Sequence, residues 1–314
     1  MSGLYLITGF LGAGKTTFLK QFVQMFKEQR MHIIVNEFGR EGIDGELMRE
    51  MGIALDEINN GSIFCSCRLD KFWEVLTHTL EQSPDVILVE ASGLSDPTNV
   101  KKILNQKEKY PIFSQIEYMG CICLVDGRQF LKVYETASVV KKQLNVSNLV
   151  LLNKMDLVSR EQADRVKQVL KEHRPDLPVF ETDHGRFQKE WFEVLSAKIP
   201  EDEGTLFQTA DITLRKYLLH IKEGTDLDRL SRFLNMLLQD TFRIKGFVRT
   251  GGKEYQVSAV GNLLEISEYR RTPEKTNLLV VLSGSGMPVK KALKTAVEWY
   301  PDLVTDIIDG TAAE

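Results

Sequence analysis

The chain has 314 residues, 43 % of them hydrophobic and 27 % charged, which is room for one large or two ordinary globular domains. A formal net charge of −4 and a pI near 5.9 argue against a basic nucleic-acid-binding surface, and no apolar run approaches the ~20 residues that span a bilayer. Four cysteines do not make a disulfide scaffold. The first strand-like run starts without a basic leader, so a reducing cytoplasm is expected.

Taken in order, Leu4, Tyr5, Leu6, Ile7 and Thr8 form an apolar run that reads as a buried strand. Phe18, Leu19, Phe22, Val23 and Phe26 then recur at helical spacing. Short apolar runs follow at Ile33–Val35, Val86–Val89, residues 119–125 and residues 149–152, with a weaker one at Pro178–Phe180. Polar-striped helices lie between them, residues 160–173 for example. Runs without alternation suit a parallel sheet covered on both faces, so residues 1–203 are expected to form a doubly wound, mostly parallel α/β domain. Composition shifts at Ile199-Pro200-Glu201-Asp202-Glu203-Gly204, a linker. Beyond it, 211–222 reads as a strand, and Leu227, Leu230, Phe233, Leu234, Leu237 and Leu238 make one helix face. Strands are expected over 243–249, 254–260, 263–269 and 277–283, with Gly251-Gly252 as a hairpin turn. A last helix starts at Pro288. Residues 204–314 are thus a smaller C-terminal α+β domain.

The chemistry sits between the first strand and helix. Gly9, Gly14, Lys15 and Thr16 fit G-x-x-x-x-G-K-[ST], a phosphate-binding loop. Gly12 and Gly14 let the backbone wrap a phosphate, and the amides of Gly12, Ala13, Gly14, Lys15, Thr16 and Thr17 converge on it at a helix N-terminus. Lys15 adds charge at the β/γ oxygens, and the Thr16 hydroxyl ligates Mg²⁺. Asn153-Lys154-Met155-Asp156 follows a strand and reads guanine: a carboxylate accepts from N1–H and the exocyclic amine, which adenine cannot offer there. Glu90, at the end of Val86–Val89, is a second Mg²⁺ ligand, and Gly93 lets its loop swing. With Lys15 and Thr16 it makes the catalytic set. Glu37, in Asn36-Glu37-Phe38-Gly39, either binds metal, orients water or caps a turn.

Cys65 and Cys67 can share a soft cation such as Zn²⁺ or Cu⁺, but supply only two ligands, and metal-free thiols are the alternative. Cys121 and Cys123 lie in an apolar run and are read as core. The five histidines are scattered, with no metal-storing tail.

These fragments, together with Glu90-Ala91-Ser92-Gly93 and Asp96-Pro97, resemble the CobW-type P-loop GTPases. That group includes the nickel-insertion GTPases of urease and hydrogenase maturation and the methylmalonyl-CoA mutase chaperone. The resemblance implies slow GTP hydrolysis to GDP, coupled to delivery of a metal or cofactor to a client enzyme, with homodimerisation plausible. A metal site of the family's kind would take Zn²⁺ or Co²⁺, and the cargo itself is left open. The family's Cys-x-Cys-Cys reads Ser62-Ile63-Phe64-Cys65 here, and Arg40 stands where an acid is usual. Two readings stay beside the metallochaperone: a metal-free guanine-nucleotide switch gating loading or repair of an organic cofactor such as a corrinoid, and a small-molecule kinase. No arginine finger is evident beyond Arg40 or Arg68.

Overall fold

The computed structural model describes residues 1–37, 53–59, 69–195, 214–270, 272–273, 275–284 and 287–310. The chain separates into two compact units. One comprises Met1–Tyr134 and Ser138–Ala210; the other comprises Glu135–Ala137 and Asp211–Glu314. The boundary expected at 203/204 lies outside the described residues.

The first unit is a seven-stranded parallel sheet in the order β3-β2-β4-β1-β5-β6-β7. Its strands are β1 (Ser2–Thr8), β2 (Met31–Glu37), β3 (Ala54–Asn59), β4 (Val86–Glu90), β5 (Ile116–Asp126), β6 (Leu149–Asn153) and β7 (Val179–Glu181). The helices are α1 (Lys15–Phe22), α2 (Leu69–Glu81), α3 (Val100–Leu104), α4 (Phe130–Thr136, whose last two residues count with the second unit), α5 (Ser138–Asn145) and α6 (Arg160–His173). Apolar side chains alternate between two layers. Tyr5 and Ile7 pack with Phe18, Phe22 and Phe26 on one face, while Leu4 and Leu6 pack with Phe72 and Leu76 on the other. Both faces are therefore dry, which is why the strands read as unbroken apolar runs. The helix expected through Phe26 changes at Phe22 into a tighter turn, Val23–Phe26. The strand β3 is an addition to the sequence reading.

The second unit is a six-stranded sheet in the order β11-β10-β9-β12-β8-β13, antiparallel throughout. It contains β8 (Leu214–Ile221), α7 (Leu227–Asn235), β9 (Arg243–Thr250), β10 (Lys253–Val260), β11 (Leu263–Tyr269), β12 (Leu278–Gly284), α8 (Val289–Trp299) and β13 (Val304–Asp309). The two helices cover one face through Leu230, Phe233, Leu293 and Ala296. The β9–β10 hairpin turns at Gly251 and Gly252, whose φ of 56° and 75° match a turn with both central residues left-handed. The strand β13 was also not anticipated.

Candidate functional site

The candidate site gathers at the carboxyl ends of the parallel strands, where an open α/β sheet places its ligands. The loop between β1 and α1 leads. Gly14 is the residue before the helix, with φ 99° and no side-chain cap. A Cβ there would lie 2.5 Å from Asn153 Nδ2, so both conformation and space require glycine. The first turn of α1 contains no acid, which leaves its amide end electrically open to an anion. Lys15 is buried, and its ammonium donates to the carbonyls of Gly9 at 2.8 Å and Phe10 at 3.3 Å. Ala13 is buried and Thr17 exposed.

The Thr16 hydroxyl donates to Glu90 Oε1 over 3.4 Å. Residues 74 positions apart thus put two hard oxygen donors together, one of them on a carboxylate only 6 % exposed. That donor set suits Mg²⁺ rather than a soft metal. Glu37 ends β2, but its side chain is not among those described, and Cys65, Cys67, Arg40 and Arg68 lie outside the described residues. Among the described residues, no three His, Cys, Asp or Glu side chains cluster as a metal site would need. Also among them, no helix is long and apolar enough to cross a membrane.

The loop after β6 is bolted to the phosphate loop. Asn153 Nδ2 donates to the Ala13 carbonyl at 2.9 Å, and Lys154 Nζ donates to the Gly12 carbonyl at 2.6 Å. Lys154 holds a left-handed backbone, φ 65°, and its ammonium also meets Asp126 Oδ2 at 2.6 Å. These two residues are struts. Asp156 follows in a short turn, Met155–Leu157, with its side chain exposed and able to accept from a ligand.

Three contributions escaped the sequence reading. Asp126 ends β5 as Glu90 ends β4, so the same strand-end rule would have found it. Gly185, beyond the short β7, donates its amide to Asn153 Oδ1 at 3.0 Å. With φ 67°, and a Cβ that would sit 2.7 Å from the Phe18 Cα, it brings that loop against α1. Gln143 of α5 is buried and donates to the carbonyls of Gly93 and Ser95, both at 3.2 Å. Ser95 Oγ donates in turn to Asn36 Oδ1 at 3.2 Å. The loop after β4 is therefore tied both to a helix and to the end of β2.

Cys121 and Cys123 are fully desolvated. Burial, with the neighbouring Cys123, pushes the Cys121 thiol far above its ordinary value. Burial lifts Cys123 to about 12. Both stay protonated and unreactive at neutral pH, as the reading of them as core residues expects.

Several known proteins are similar to the chain. Zinc chaperone YeiR of Escherichia coli (strain K12) is 29 % identical over 189 residues, covering 59 % of this chain and 56 % of its own. Zinc chaperone CobW of Sinorhizobium sp is 30 % identical over 183 residues, covering 49 % and 51 %. The chain spans about half the length of the curated relatives it matches. The Zn(II)-bound YjiA GTPase from E. coli aligns over 95 % of this chain and 98 % of its own, with 19 % identity and a TM-score of 0.44. The model of the cobalamin synthesis protein cobW C-terminal domain matches residues 215–298. The model of the CobW/HypB/UreG nucleotide-binding domain matches residues 4–181, more than half of the chain. The chain belongs to the CobW/HypB/UreG family.

Proposed function

We propose that this protein binds GTP with Mg²⁺, hydrolyses it to GDP and phosphate, and uses that cycle to deliver a metal ion or cofactor to a client enzyme. Residues 1–203 serve as the nucleotide domain and 204–314 as the C-terminal domain. The observation that carries the reading is the exposed Asp156 carboxylate, presented by a loop whose Asn153 and Lys154 grip the phosphate loop. Base recognition and phosphate recognition are thereby set at a fixed spacing.

In this reading the amides of residues 12–17 and the Lys15 ammonium bind the β- and γ-phosphate oxygens, where charge builds in the transition state. Lys15 exchanges its carbonyl partners for phosphate. Thr16 and Glu90 hold Mg²⁺, with Glu37 as a further candidate; bound Mg²⁺ neutralises charge on the phosphate oxygens. Unless Arg40 or Arg68 supplies an arginine finger, intrinsic turnover is expected at about 10⁻⁴ to 10⁻³ s⁻¹ until a client or a second copy completes the site.

Asp156→Asn tests the base assignment. The amide presents a donor where the carboxylate accepted, so affinity should move from guanine to xanthine nucleotides, which carry a carbonyl at that position. GDP affinity should fall by about 100-fold. Retained guanine preference would refute the assignment. Phosphate release from GTP without an acceptor distinguishes a GTPase from a kinase.

The names of the relatives support zinc as cargo. Ser62 and Phe64, standing where the family carries cysteines, favour the metal-free switch for a cofactor enzyme. Zn²⁺ or Co²⁺ titration of reduced protein, with and without a non-hydrolysable GTP analogue, decides between them. Binding lost in Cys65→Ser/Cys67→Ser and changed by nucleotide supports metal transfer. Equal binding by wild type and variant supports the switch.

A further inference from the structure

The second unit holds a cleft of about 420 Å³, lined wholly by its own residues and remote in sequence from the nucleotide motifs. Its size falls in the range of small-molecule sites. Arg215 and Tyr217 enter it from one face of β8, two residues apart, and Lys290 enters from the first turn of α8. Asp309, the last residue of β13, pairs in register with Tyr217 and also lines the cleft.

Two features there favour an anion, and Tyr217 adds a hydroxyl donor. The eleven-residue α8 begins after Pro288 with no side-chain cap and no acid in its first turn, so its amide end carries uncompensated positive potential. Arg215 is exposed, and among the described residues no carboxylate pairs with it. Tyr217 packs its ring into the core, 3 % exposed as a residue, and lines the cleft. The hydroxyl faces the cleft charges. Burial raises its pKa first and Asp309 adds to the rise, while Lys290 and Arg215 oppose it. It therefore remains a donor at neutral pH.

We propose that this cleft binds the phosphate group of a small phosphate monoester. Arg215 supplies a planar fork of donors, the Tyr217 hydroxyl a single donor, and the start of α8 its amides. Lys290 is held at 3.1 Å by Asp309 and turns to the ligand when it binds. Asp309 thus competes with the ligand for the lysine. The cleft is larger than a phosphate group needs, which favours an ester over the free ion. This site is independent of the GTPase reading.

The test uses the full chain saturated with GDP and Mg²⁺, so that the phosphate loop is filled. Inorganic phosphate and glycerol 3-phosphate are titrated separately and followed by calorimetry. Saturable binding of one equivalent is expected, tighter for the ester. Arg215→Gln should weaken it about tenfold and Tyr217→Phe about threefold. Asp309→Asn should tighten it about threefold, because the competing carboxylate is gone. A gain in affinity cannot come from misfolding. Arg270→Gln, beyond β11 at the opposite edge of the sheet, should change nothing. The proposal is overturned by the absence of saturable binding, by free phosphate binding more tightly than the ester, by an Arg270→Gln loss as large as that of Arg215→Gln, or by indifference to both Arg215→Gln and Asp309→Asn.

Discussion

Lys154 shows how much one side chain holds together. Its ammonium meets the Gly12 carbonyl and the carboxylate of Asp126, which is 6 % exposed. Removing the lysine leaves that buried charge with Arg128 at 3.5 Å. Lys154→Met is therefore expected to lower the stability of nucleotide-free protein by about 3 kcal/mol, read by urea denaturation. Adding Asp126→Asn should restore part of it, since the charge that was stranded is gone. The two buried thiols make a second prediction. The native state keeps both protons while the unfolded chain loses them near the ordinary value of 9.0. Their contribution to stability is complete below pH 9 and declines as pH rises towards 12, by about 1.4 kcal/mol per pH unit for each thiol. The pH dependence of the unfolding free energy should flatten by that share in Cys123→Ala. The spacing of Gly9, Gly14, Lys15 and Thr16 is local, so it was plain in the sequence. So was Asn153–Asp156. The hands that hold them were not: Gln143, Ser95 and Gly185 act through contacts that only the folded chain creates, and nothing in their neighbours sets them apart.

Among the elements, α5 links stability to the candidate site. Arg174 lies just beyond α6, and its guanidinium donates to the carbonyls of Leu144, Asn145 and Ser147 at 3.1, 3.0 and 2.7 Å. A cation there gives further donors to carbonyls at the end of α5 and complements its dipole. Arg174→Met should cost about 2–3 kcal/mol in thermal or urea unfolding. Because α5 also carries Gln143, loosening it should raise amide exchange in the loop from Ala91 to Asp96 more than in β1. The legibility of elements followed their position. Central strands such as β4 and β6, buried at every residue, appear as apolar runs. Both strands that escaped notice, β3 and β13, are sheet edges. An edge needs little apolar character: β13 is exposed at five of its six positions and carries Asp306 and Asp309. Charge at such places protects against edge-to-edge pairing, and that same charge disguises the strand.

At the scale of the whole molecule, each unit has its own core, one built on the parallel sheet and one on the antiparallel sheet. Scanning calorimetry should therefore resolve two transitions, and GDP with Mg²⁺ should raise only the one belonging to the nucleotide domain. At a free concentration 100 times its dissociation constant the nucleotide adds about 2.7 kcal/mol to that unit. A single transition that shifts as one would count against independent cores. Within the first unit, the loops after β1, β6 and β7 are already joined to one another through Asn153, Lys154 and Gly185. An arriving nucleotide thus meets three loops already joined, and a wrong base is expected to enter as readily as the right one. Discrimination then resides in residence time: labelled GDP and ADP should associate at similar rates and differ in how quickly they leave.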